Sequence, residues 1–109
     1  MNNTNESRIE KLNAMLESNP NDCFLRHALG LELQKEGHAA EAIQAFKQVL
    51  NVDENYLGTY YHLALAVSKE DEDEAKPIFE KGMEIAKAQN DKHAENELRM
   101  VYEEIYEEW

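Results

Sequence analysis

A chain of 109 residues, 42% of them hydrophobic, is long enough for one packed domain and too short to split into two with full cores of their own. Its 23 acidic residues against 11 basic ones give a net charge of −12. That balance argues against nucleic acid, whose capture depends on Lys and Arg, and against an anionic membrane surface. An acidic protein favours a basic partner, but solubility alone accounts for such a charge equally well. Four glycines and two prolines among many Leu, Ala, Glu, Lys and Gln predict helix throughout. The single cysteine, Cys23, excludes an internal disulfide and a cysteine-based zinc cluster. The opening MNNTNESRIE lacks the apolar run of a secretory leader, and no segment approaches the length of a membrane span. The expected compartment is therefore the cytoplasm.

In chain order, Ser7 is a cap for a first helix over 7–19, with the apolar stripe Ile9, Leu12, Met15 and Leu16. Asn19-Pro20-Asn21-Asp22 ends it, because the residue before a proline resists helical geometry. Asn21 or Asp22 caps the second helix, about 22–36, whose stripe is Leu25, Leu29 and Leu33; Gly37 stops it by taking a left-handed conformation. A third helix, about 39–52, buries Ala42, Ile43, Phe46, Val49 and Leu50. A fourth, about 56–69, turns Tyr60, Leu63, Ala64 and Val67 inward. The acidic run Glu70 to Glu74 sits at the start of a fifth helix, where carboxylates cap free amides and offset the dipole; it lacks the glycine and closing Glu of a calcium loop. Pro77 is expected near that helix's first turn. Asp91 caps a last helix, about 91–107, with the stripe Ala94, Leu98, Val101 and Ile105.

The middle of the chain recurs. Leu29-Gly30 returns as Leu63-Ala64 and Leu33 as Val67 at a spacing of 34; Ala42, Phe46 and Val49 return as Ala75, Phe79 and Gly82 at a spacing of 33. Such a period marks a helical repeat array. The residues resemble the tetratricopeptide repeat (TPR) family. Leu29, Gly30, Leu33, Ala42 and Phe46 stand at its signature positions in the first copy; Tyr60, Leu63, Ala64, Val67, Ala75 and Phe79 do so in the second. The chain departs at Arg26, where a large residue belongs, at Glu54, where a proline would stand, and in a second turn one residue short. The resemblance implies an all-α fold: antiparallel helix-turn-helix repeats stacked as a short right-handed superhelical solenoid of about six helices. As one domain it would comprise a leading half-repeat at 7–19, repeats at 22–55 and 56–90, and a capping helix at 91–109.

The resemblance further implies a protein-interaction module, a scaffold or adaptor, because the first helices of the family's repeats line a concave groove. Carried onto this chain, the groove positions are Phe24, His27, Leu31, Gln34 and Lys35 in the first copy and Gly58, Tyr61, Leu65, Ser68 and Lys69 in the second. Registering the end helix by its core stripe adds Glu95, Arg99 and Tyr102. Leu31, Tyr61 and Leu65 are apolar although the core stripes are complete without them, as befits a contact surface. Lys35, Lys69 and Arg99 along one edge suit a protein or peptide partner carrying acidic residues. The carboxylate clamp of some family members falls here on His27, Leu31 and His62, so it is absent as a set and no chaperone-tail binding is expected.

A structural self-assembly module is the alternative function. Tyr102 and Tyr106 share a helix face, as do Ile105 and Trp109, and the tyrosine face is expected to meet the groove or a second copy. The surrounding Glu103, Glu104, Glu107 and Glu108 would repel across a twofold axis, which favours a monomer or weak homodimer. No enzyme, metal or cofactor is expected. His27, His38, His62 and His93 lack ligand spacing, and Cys23 has no base beside it. The four isolated glycines form no phosphate cradle.

Overall fold

The computed structural model describes residues 4–107, with side chains from 8 onward. Six helices follow one another: α1 (Thr4–Ser18), α2 (Cys23–Lys35), α3 (Ala39–Val52), α4 (Gly58–Ser68), α5 (Glu72–Ala88) and α6 (Lys92–Tyr106). Among the described residues there is no strand, so the fold is all-α.

Local chemistry sets most helix ends. Asp22, Asp71 and Asp91 cap α2, α5 and α6, each side chain accepting an amide hydrogen bond at 2.9–3.1 Å from the residue three further on. Gly37, at φ 86°, closes α2: His38 N–H reaches back to the Leu33 carbonyl at 2.8 Å and Gly37 N–H to that of Gln34. Asn90, at φ 60°, closes α5 in the same way, with Asp91 N–H on the Ala86 carbonyl. Glu72, Asp73 and Glu74 occupy the first turn of α5, where their charge opposes the helix dipole.

Three expected positions move. Helix α1 begins at Thr4 rather than at a Ser7 cap, since no glycine or proline interrupts that stretch. Helix α4 begins at Gly58, not at 56. Asp53 accepts the amide of Asn55 on its side chain and that of Tyr56 on its carbonyl, so 53–56 form a turn instead. Pro77 is the sixth residue of α5, beyond its first turn, because the cap at Asp71 starts the helix early. Its ring offers no amide to the carbonyl of Asp73, an exposed residue.

The helices form two compact units that divide between Tyr56 and Leu57. In the first, α2 packs against α1 and α3. Its buried apolar residues are Leu16, Leu29, Leu33, Ala42, Ala45, Phe46 and Val49; Met15, expected inward, is 45% exposed. In the second, α5 packs against α4 and α6, burying Tyr60, Leu63, Ala64, Val67, Ala75, Phe79, Ile85 and Leu98 among others.

Glycine decides one close approach in each unit. A Cβ on Gly30 would overlap the buried Phe46 ring, at 2.7 Å from Cδ1 and 2.9 Å from Cζ. A Cβ on Gly82 would stand 2.8 Å from Tyr60 Cβ and 3.1 Å from Leu98 Cδ1. Phe46→Ala should cost roughly 3–5 kcal/mol, as for other emptied aromatic core sites. Gly30→Ala should cost about 1–3 kcal/mol by overpacking. Combined with Phe46→Ala the same change should be neutral or gain up to about 1 kcal/mol, since alanine is the better helix former once the ring is gone. Urea unfolding of the four proteins checks this; additive losses would mean that Gly30 and Phe46 do not meet.

Candidate functional site

On α2, Phe24, His27, Leu31, Gln34 and Lys35 follow helical spacing and share the side away from Leu29 and Leu33. Phe24 is 70% exposed and Leu31 37%. Between them His27 is half-buried, its ring 5.6 Å from that of Phe46 and 5.9 Å from that of Tyr56. Gln34 is half-buried and Lys35 exposed. These five form one apolar, polar-edged face within the first unit.

On α4, Tyr61 and Leu65 are half-buried, Ser68 donates its hydroxyl to the Leu65 carbonyl at 2.8 Å, and Lys69 is the exposed C-cap residue. Gly58 is exposed, with no atom within 4 Å of where a Cβ would stand. Tyr61 meets the ring of His62 edge-on at 5.6 Å. Together with Leu57, Gly58, Tyr61 and His62, three residues of α6, Ala94, Glu97 and Leu98, line a cleft of about 270 Å³ within the second unit. Burial pushes the His62 imidazole below its ordinary pKa, against an opposing pull from the Glu97 carboxylate.

The expected row on α6 is therefore displaced. Glu95 and Arg99 pair with each other at 2.8 Å, and Arg99 also donates to Asn96 at 3.1 Å. Tyr102 lies against α5 rather than in a row with α4. Its hydroxyl donates to Glu80 at 2.9 Å, and its ring and that of Tyr106 lie 4.9 Å apart, tilted by 50°, each edge-on to Phe79. Tyr106 donates to the Glu72 carbonyl, and the Lys76 ammonium lies 6.0 and 5.5 Å from the two ring centroids. The tyrosine face expected to meet a groove or a second copy is thus occupied by the unit's own α5. Trp109, expected to share the other face with Ile105, lies outside the described residues. Glu97, which the repeat register left out of the groove, borders this cleft with His62; the place of Leu98 in the inward stripe was the sequence signal that brings positions 94 and 97 to the α4 side.

In the first unit a second cleft of about 430 Å³ opens between α1 and α3, with Ile9, Leu29, Leu33 and Ala45 in its lining and Arg26, Glu41, Gln44 and Gln48 among its polar members. Cys23 is half-buried at the start of α2. Burial first, then Asp53 and Asp22, raise its thiol pKa, so it stays protonated, with its S–H directed at the Val49 carbonyl at 3.7 Å. A reactive thiolate is not what this setting favours. Among the described residues no three His, Cys, Asp or Glu side chains converge as metal ligands, and no helix is long and apolar enough to cross a membrane.

Three findings from known proteins bear on this geometry. Residues 25–56 match a tetratricopeptide repeat model. A solution NMR structure of a tetratricopeptide repeat domain protein from Salinibacter ruber superposes with a TM-score of 0.73 at 30% identity, covering 83% of this chain and 95% of that one. The chain belongs to the tetratricopeptide repeat family. A crystal structure of a tetratricopeptide repeat domain protein from the same organism gives a TM-score of 0.71 at 32% identity, covering 74% of this chain and 91% of that one. No curated protein matches the chain. In TPR terms, α2 and α3 are the two helices of the matched repeat. The match spans most of α2 and all of α3, and it takes in the departures at Arg26 and Glu54.

Two measurements test these placements. Tyr106→Phe should cost about 0.5–1.5 kcal/mol, the net worth of a hydrogen bond. The pair Tyr102→Ser and Tyr106→Ser should cost more and lower helix content, because the rings hold α6 to α5. Unchanged melting of the pair would put the tyrosines on an open surface after all. For His62, the folded pKa lies below the unfolded one, so between them the unfolded chain binds more protons and stability rises with pH. The contribution is present above about pH 6.5 and is lost as pH falls towards the lowered folded value. The stability difference between parent and His62→Gln should therefore be larger at pH 7.5 than at pH 5.5; a pH-independent difference would place His62 in water.

Proposed function

We propose that this TPR protein is a cytoplasmic adaptor that binds an extended or helical segment of a partner protein against the outward face of a first helix, α2 or α4. TPR proteins in general serve protein interaction rather than catalysis, and nothing in the described side chains composes a nucleophile with its base. The observation that carries the reading is the face of α2. Phe24 at 70% and Leu31 at 37% exposure are large apolar groups left uncovered by the packing that buries Leu29 and Leu33. In the second unit Tyr61 and Leu65 are half-buried, and Met100, one turn beyond Glu97 on α6, is 71% exposed.

The charged edge is narrower than the sequence suggested. Arg99 is engaged by Glu95 and Asn96, which leaves Lys35 and Lys69 as the exposed cations for acidic residues of the segment. Their contacts would be modest and weakened by salt. Self-assembly loses its main support, because Tyr102 and Tyr106 are engaged within their own unit. We read the protein as a monomer, with no nucleic acid, membrane or cofactor among its ligands.

Selection of binders from a random peptide display tests this. Selected peptides should bind the parent, and Phe24→Ser with Leu31→Ser should weaken them at least about tenfold, the loss of one buried aliphatic or aromatic contact, while helix content and melting stay close to the parent. A selection that returns no binder, or binders indifferent to substitutions on both the α2 and α4 faces, would overturn the adaptor reading.

A further inference from the structure

The cleft between α4 and α6 combines a carboxylate, an aromatic ring and an apolar floor, all supplied by one unit. Its volume of about 270 Å³ lies below the roughly 300–1,000 Å³ of small-molecule pockets, so it suits one long side chain better than a cofactor. Glu97 is exposed, and among the described residues no Lys or Arg pairs with it; the nearby cation Arg99 is held by Glu95 and Asn96. His62 adds no positive charge at neutral pH, because burial holds its imidazole in the uncharged form. The lining therefore carries one formal charge, and it is negative. Tyr61 stands beside it, oriented by its edge-on contact with His62. Leu57, Ala94 and Leu98 supply apolar wall, and Gly58 has no side chain to close the mouth.

We propose that this cleft is the anchor site for a single arginine side chain of the partner segment, an inference that rests on the peptide-binding reading above. The guanidinium pairs with the Glu97 carboxylate through parallel N–H···O bonds and lies on the Tyr61 ring. Its methylene stem covers Leu57 and Leu98. Arginine fits better than lysine, because a planar fork meets both the carboxylate and the ring, whereas an ammonium is a strongly hydrated point charge. The net charge of −12 acts in the same direction, by drawing basic segments towards the protein.

The test uses the full chain, labelled with nitrogen-15, and two probes: N-acetyl-arginine methylamide and N-acetyl-citrulline methylamide, which keeps the shape and loses the charge. The arginine compound should shift amides of residues 57–62 and 94–98, with the citrulline compound at least about tenfold weaker. Glu97→Gln, at an exposed position, should leave melting unchanged and reduce arginine binding to the citrulline level. Equal binding of the two compounds, shifts elsewhere, or unaltered binding by Glu97→Gln would overturn the proposal. Displayed peptides supply the second arm. A recurring arginine whose replacement by citrulline weakens binding to the parent, but not to Glu97→Gln, supports the anchor. Selected peptides without a recurring basic residue overturn the anchor and leave the adaptor reading standing. A selection that returns nothing overturns the adaptor reading alone, while the probe titration still decides the cleft.

Discussion

The contact of the Phe46 ring with the bare backbone at Gly30 sets the first unit. A ring that close to α2 tolerates no side chain at position 30, and the approach fixes the rotation of α2 about its axis. Once Gly30 faces α3, helical geometry turns Leu29 and Leu33 to the interior and Phe24, Leu31 and Lys35 to the outside. The outward face that we read as binding surface is thus a consequence of core packing. A helix of 13 residues has one stripe to bury, and whatever apolar residues it carries elsewhere remain exposed.

The second unit meets the same packing problem with different residues. Ala64 replaces Gly30 in the repeat, and Tyr60 stands where the first copy has Arg26. Tyr60 is 4% exposed, and room for it comes from Gly82 at the position of Val49. Bulk moves from the second helix of the pair to the first, as close packing favours. The exchange reaches the proposed site. Leu98 approaches Gly82 from α6, and the seat of Leu98 decides that Ala94 and Glu97, one turn and one residue before it, face α4. A larger residue at position 82 would displace both Tyr60 and the helix that bears Glu97.

Periodicity and end signals made most of the architecture legible. The 33–34-residue recurrence placed both hairpins, and Asp71, Asp91 and Gly37 act at the ends where their chemistry predicts. The start of α4 was hidden because Asp53 gathers two amides into a turn that hydrophobic pattern cannot reveal. On α6 the stripe Ala94, Leu98, Val101 and Ile105 tells which side is inward but not which neighbouring helix each flank meets. Tyr102 and Tyr106 read as exposed aromatics for the same reason. What covers them is Phe79, with Glu80, the Glu72 carbonyl and Lys76 taking up the polar edges, all more than 20 residues away. The outward side of α2 was legible because one helix's own stripe defines its outside; the meeting of His62 and Glu97 was not, because it depends on two helices.

The acidity of the chain admits two explanations, solubility or a basic partner, and location separates them. Many carboxylates serve a local purpose. Asp22, Asp71 and Asp91 cap helices, and Glu72, Asp73 and Glu74 sit on the dipole of α5. Glu32 pairs with Arg8, Glu84 with Lys81, Glu95 with Arg99, and Glu80 accepts from Tyr102. Surface pairs of this kind contribute little to stability, but they engage three of the chain's eleven basic residues where they stand. Glu97 caps no helix, and it borders a cleft whose other walls are a tyrosine, an uncharged histidine and aliphatic carbon. A solubilising carboxylate gains nothing from that position, since any exposed face would serve it as well. A carboxylate that receives a cation gains there, because low-dielectric walls strengthen the pairing and an aromatic face adds to it.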